Sequence, residues 1–152
     1  MLITYASDHE HSTSAAQHAR RLLEHNGVAS SIEVMNNVAE VSTLTKEPVL
    51  FIIPSYKEVP STAQTLFEFL KQHQNTDHLK KVNYAIAAFG SSEYMGEHGE
   101  DYQRLGRELE FLLDSAGAHK VAAKAELDVK DEKAAMSQFD QFITMIATAI
   151  KK

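Results

Sequence analysis

The longest apolar stretches of the chain are short and sharply bounded. Val49-Leu50-Phe51-Ile52-Ile53 is an unbroken apolar run rich in β-branched residues, and Val82 to Phe89 places Tyr84, Ile86 and Ala88 on one face and Ala85, Ala87 and Phe89 on the other. Runs of this length predict strands covered on both faces, as in a parallel sheet. Leu2-Ile3-Thr4-Tyr5-Ala6 predicts another buried strand, and the weaker alternation of Val28 to Val34 predicts an edge strand. His119 to Val129 returns as the last strand.

Between these runs the apolar spacing changes from two to between three and four residues. Ala15, Ala16, Ala19, Leu22 and Leu23 follow the polar stretch Ser7 to Ser14 and predict a first helix ending at Asn26-Gly27. Ser61-Thr62-Ala63-Gln64 has the form of a capping box, and Leu66, Phe67 and Leu70 supply the stripe of a second helix. Tyr102, Leu105, Leu109, Leu112 and Leu113 predict a third, closed by Gly117, and Met136, Phe139, Phe142, Ile143, Ile146 and Ile150 a fourth, ending in Lys151-Lys152. The polar segment from Asn36 to Glu47 reads as a loop or a pair of short helical turns.

Five strands alternating with four main helices imply right-handed crossovers and a three-layer, doubly wound parallel sheet. The 152 residues make one domain, 1–152, without internal repeat or linker. In such sheets ligands bind beyond the carboxyl ends of the strands, where strand order reverses. That rule selects three loops: Ser7 to Ser14, Pro54 to Pro60 and Gly90 to Asp101.

Composition narrows the chemistry. No cysteine is present, so disulfides and thiolate metal or redox centres are excluded, and any redox chemistry must come from a bound cofactor. A formal charge of −6 disfavours nucleic acid and anionic membrane as partners and favours a partner with a basic surface. The start Met1-Leu2-Ile3-Thr4-Tyr5 has no basic segment followed by a long apolar one, which leads us to expect a cytoplasmic protein. The chain carries no G-x-S-x-G elbow, G-x-x-x-x-G-K-[ST] loop or H-E-x-x-H helix, so no catalytic residue is assigned.

The first loop, Tyr5-Ala6-Ser7-Asp8-His9-Glu10-His11-Ser12-Thr13, together with Pro54-Ser55-Tyr56-Lys57-Glu58-Val59-Pro60 and Phe89-Gly90-Ser91-Ser92-Glu93-Tyr94, resembles the ligand loops of the flavodoxins and of the flavodoxin-like domains of diflavin reductases. The resemblance covers nearly the whole chain and is similar to the short-chain type. It implies strand order 2-1-3-4-5 and non-covalently bound FMN. The family's first loop, S-x-T-G-N-T, holds the FMN phosphate; Ser7 and Ser12 match its hydroxyls, whereas His9, Glu10 and His11 replace Thr, Gly and Asn. The second loop is a shortened ring-binding loop with Tyr56 as its aromatic, and the third is similar to G-x-S/G-D-x-x-Y, with Glu93 near the acidic and Tyr94 near the aromatic position. The resemblance thus implies cofactor contacts from Ser7, Asp8, His9, Glu10, His11, Ser12, Pro54, Ser55, Tyr56, Lys57, Gly90, Ser91, Ser92 and Tyr94. Stacking on Tyr56 or Tyr94, with Glu58 or Glu93 nearby, would disfavour added negative charge on the ring.

Other readings of the same residues stay open. Asp8-His9-Glu10-His11 offers imidazole and carboxylate ligands for a metal, or is a solvated polar loop. His18, His25, His73, His78 and His119 are expected at the surface, and Tyr102 in helix packing. The function implied is an electron carrier, monomeric or weakly dimeric, serving a basic redox partner. The alternative is a binding or regulatory module of the same fold that has lost FMN. A receiver-type phosphoacceptor would need Asp where Pro54 and Ser55 stand.

Overall fold

The computed structural model describes residues 1–6, 10–55, 58–93 and 102–151, with the backbone alone at 10 and 11. The elements alternate as the apolar pattern predicts: β1 (Leu2–Tyr5), α1 (Glu10–His25), β2 (Ser31–Val34), a short α2 (Val41–Leu44), β3 (Val49–Pro54), α3 (Gln64–Gln72), β4 (Asn83–Gly90), α4 (Arg104–Ser115), β5 (His119–Lys120), β6 (Ala125–Asp128) and α5 (Glu132–Lys151). The strands pair in parallel in the order β2-β1-β3-β4-β5, with β6 also on β4. This is the doubly wound sheet of order 2-1-3-4-5.

Because side chains alternate along a strand, β3 and β4 serve two cores at once. Phe51, Ile53, Tyr84, Ile86 and Ala88 pack with Leu66, Phe67 and Leu70 of α3 and Leu105, Leu109, Leu112 and Leu113 of α4. Leu50, Ile52, Ala85, Ala87 and Phe89 point the other way, toward Ala15, Ala16, Ala19 and Leu23 of α1 and Phe139, Phe142, Ile143 and Ile146 of α5. Gly117, at φ +93°, closes α4, where the amide of Ala118 donates to the Leu113 carbonyl.

The structure departs from the sequence pattern in several places. The expected strand His119 to Val129 is two pieces: between the pairs Tyr84↔Lys120 and Ala87↔Ala125, β4 advances three residues and its neighbour five. The two surplus residues cannot stay in the ladder, so the strand bulges out. Lys124, 11% exposed, turns back from this bulge to Glu110 at 3.3 Å and Glu126 at 3.7 Å. Lys120 bridges Asp114 and Glu110; its hydrogen bond to Asp114 holds the ammonium pKa above the usual lysine value. Burial, with help from a hydrogen bond to Asp114, likewise pushes the Tyr84 phenol upward.

α1 starts at Glu10, so Ser12 belongs to a helical first turn rather than to a loop. α3 is reached through a 3-10 turn, Ser61–Ala63, and the cap positions fall on Pro60 and Ala63, neither making a side-chain cap. The capping box is displaced because Pro60 starts the turn earlier. Tyr102 precedes α4 instead of joining its stripe. His18 is half-buried, bonded to Asp140 at 2.7 Å across α1 and α5 and stacked on Phe139. No described helix is long and apolar enough to cross a membrane.

Candidate functional site

The carboxyl ends of β1, β3 and β4 lie side by side in the middle of the sheet, with β1 and β3 at the reversal of strand order. Ser7, Asp8, His9, Tyr56, Lys57 and Tyr94 lie outside the described residues, as do the side chains of Glu10 and His11. The metal reading of the first loop falls on them too. Ser12, Pro54, Ser55, Gly90, Ser91 and Ser92 are described and belong to this edge.

Ser12 is in the first turn of α1, 1% exposed, and its Oγ has no hydrogen-bond partner among the described residues. A helix start leaves amides without intrahelical acceptors, and a buried hydroxyl beside them is an additional donor. The pairing that holds strands does not explain it. Thr4, Ser30 and Gln103 carry the other such atoms among the described residues.

The ends of β3 and β4 are built differently. Pro54 ends β3, and the amide of Ser55 donates to the Phe89 carbonyl at 2.7 Å. Ser55 Oγ accepts from the Gly106 amide at 2.7 Å, which ties α4 to the second loop. A Cβ at Gly106 would stand 2.7 Å from that of Ala88, so only glycine lets the helix lie this close to β4. Ser91 Oγ accepts from the amide of Glu93, and the Ser92 amide donates to Asp128 Oδ1 at 3.1 Å. Burial raises the Asp128 carboxyl, but hydrogen bonds from the hydroxyl and amide of Ser92, then the amide and charge of Lys130, outweigh it and hold its pKa below the usual carboxylate value.

Three residues of this edge, Gln103, Gly106 and Asp128, were absent from the sequence-based site. Gly106 left a legible trace: a glycine inside a helical stripe usually has a packing reason. Gln103 stands just past the third loop, where a helical stripe does not mark a polar residue as buried, and Asp128 left no trace because β6 brings it there from far along the chain. Among the described residues no three His, Asp or Glu side chains converge as metal ligands.

A family description for flavodoxin matches residues 3–142. Among solved structures, a cysteine-to-serine mutant of the flavodoxin from Pseudomonas aeruginosa superposes with a TM-score of 0.78 at 19% identity, covering 99% of this chain and 98% of that one. The flavodoxin of Streptococcus pneumonia TIGR4 gives 0.76 at 17% identity, with 97% of each chain covered. A short-chain flavodoxin associated with a non-canonical PDU bacterial microcompartment gives 0.75 at 19%, again with 97% of each covered. A bifunctional cytochrome P-450/NADPH–P-450 reductase of Acremonium egyptiacum is 25% identical over 129 residues, which are 85% of this chain but 12% of that protein. The chain therefore spans a small part of that relative.

Proposed function

Because the chain belongs to the flavodoxin family, as the match over residues 3–142 shows, we propose that it is a small electron carrier that holds FMN non-covalently at the carboxyl ends of β1, β3 and β4. The observation that carries this reading is the Ser12 hydroxyl, buried in the first turn of α1 and without a partner among the described residues. It fits a phosphate oxygen as acceptor, beside helix amides that favour an anion. Ser7 would supply a second hydroxyl, and His9 and His11, when protonated, would offset the charge of Asp8 and Glu10.

Bound FMN would supply the redox chemistry of its isoalloxazine ring. The chain's part is orientation and exclusion of water. Pro54, Ser55, Tyr56 and Lys57 would hold the ring from the second loop and Gly90, Ser91, Ser92 and Tyr94 from the third, with Tyr56 and Tyr94 as the candidate stacking groups. Exposed Glu58 and Glu93 make the rim acidic, which together with the net charge of −6 favours a redox partner with a basic surface. Similarity to a segment of a reductase agrees with such a relay.

The altered first loop favours one rival reading. Asp8 and Glu10 would set two carboxylates near a dianion, and a module that had lost FMN would tolerate both. Both readings meet in one experiment: the absorption spectrum of the purified protein, followed by FMN titration with flavin fluorescence as the readout. Flavin bands, or quenching that saturates at one FMN per chain, are expected. A colourless protein that leaves FMN fluorescence unchanged from acid to neutral pH would overturn the FMN reading and leave the flavin-free module.

A further inference from the structure

We propose that Gln103 is the positioning residue of the ring end of the site, joining the ends of β3, β4 and β6 at the start of α4; the inference rests on the FMN reading above. Gln103 is fully buried and sits at φ +58°, a left-handed conformation that side-chain-bearing residues rarely adopt outside over-determined places. Its Nε2 donates to the Leu127 carbonyl at 3.0 Å, one residue before Asp128, which itself holds Ser92. A Cβ at Gly90 would lie 3.0 Å from both Cδ and Nε2 of Gln103 and 3.1 Å from the Ser55 carbonyl. The amide thus fills the space that Gly90 leaves free, against the backbone of the second loop. Gln103 also begins the helix in which Gly106 donates to Ser55 Oγ.

One polar atom of this junction is unspent. Gln103 Oε1 is buried and has no hydrogen-bond partner among the described residues. A buried amide oxygen left unpaired is costly, and a native structure retains such a group where another requirement outweighs the cost. Here the requirement is the seating of the α4 start against the ends of β3, β4 and β6. The backbone bond from Ser55 to Phe89 already fixes the spacing of β3 and β4; the amide, wedged against Gly90, the Ser55 carbonyl and the Leu127 carbonyl, fixes how the start of α4 sits on that edge, and so the shape of the surface offered to a planar ring. Packing alone does not demand a polar side chain there, since methionine has nearly the same shape.

The test compares the wild type with Gln103→Met and Gln103→Asn. Dissociation constants are measured for FMN, riboflavin and inorganic phosphate, the last by competition with FMN, together with the thermal unfolding midpoint of the flavin-free protein. With Gln103→Met, FMN and riboflavin should weaken by the same factor, about tenfold for one lost orienting contact, while phosphate is unchanged. General loosening would weaken phosphate in parallel, and that result would overturn the proposal. So would wild-type affinities in a folded Gln103→Met protein. Should that variant not fold, Gln103→Asn, too short to reach Leu127, is read by the same criteria; failure of both to fold would make Gln103 a folding residue and overturn the positioning role. A colourless wild-type protein that leaves FMN fluorescence unchanged would overturn the FMN reading itself, and this inference with it.

Discussion

α1 and α4 both start at the carboxyl edge of the sheet, and their first turns are held by opposite means. At α1 the described residues leave a buried hydroxyl, that of Ser12, without a partner. At α4 nearly every polar group is matched: Ser55 takes the Gly106 amide, Leu127 takes the Gln103 amide, and Asp128 takes the amides of Ser92 and Lys130. The first arrangement suits a ligand that brings its own acceptors; the second suits a surface that must keep its shape before the ligand arrives. Substitutions at the two starts should therefore separate binding from stability.

The largest effect is expected at α4. Gly106→Ala puts a methyl 2.7 Å from the Ala88 Cβ, and neither β4 nor the helix can yield without disturbing the Leu105 and Leu109 packing. The gain in helix propensity should be outweighed, for a net loss of about 2 kcal/mol in denaturant unfolding. An unchanged midpoint would mean that α4 is free to move away from the sheet.

Ser55→Ala comes next. It leaves the buried Gly106 amide without its acceptor, which should cost about 1–2 kcal/mol in the same assay, with FMN and riboflavin weakened alike. If stability fell but both affinities held, the second loop would not depend on α4.

Ser12→Ala should do the reverse. Stability is expected to hold or to rise slightly, because an unpaired buried hydroxyl disappears, while FMN weakens about tenfold and riboflavin, which lacks the phosphate, is unaffected. Equal weakening of both flavins would move Ser12 from the phosphate to the ring.

The smallest effect concerns acid. Asp128 has a folded pKa below the usual carboxylate value, so its contribution is complete at neutral pH and is lost as pH falls from about 4 through that lowered value. Unfolding midpoints measured from pH 6 to pH 3, values chosen to span about that range, should decline less steeply in Asp128→Asn than in the wild type. Parallel curves would show that the Ser92 and Lys130 contacts do not favour the charged form.

Much of this could be read along the chain, and the failures have local causes. The periods of two and about 3.6 residues placed β1, β3, β4 and the four long helices, because each period follows from where successive side chains point. The same reasoning put Ser12, Ser55 and Gly90 on one edge, through the rule that ligand loops follow parallel strands. It failed at Tyr102, where a left-handed residue at Gln103 delays the helix, and at the fifth strand, where two surplus residues leave the ladder.

The chain by itself determined the order of elements, the two-sided burial of the central strands and which loops follow the carboxyl ends of the strands, since all three depend on neighbours within a few residues. Only the tertiary structure decided that Ser12 is buried with no partner among the described residues, that Gln103 lies between Gly90 and Leu127, and that Gly106 touches Ala88. Each of those facts depends on where a distant backbone comes to rest, and no local period carries that information.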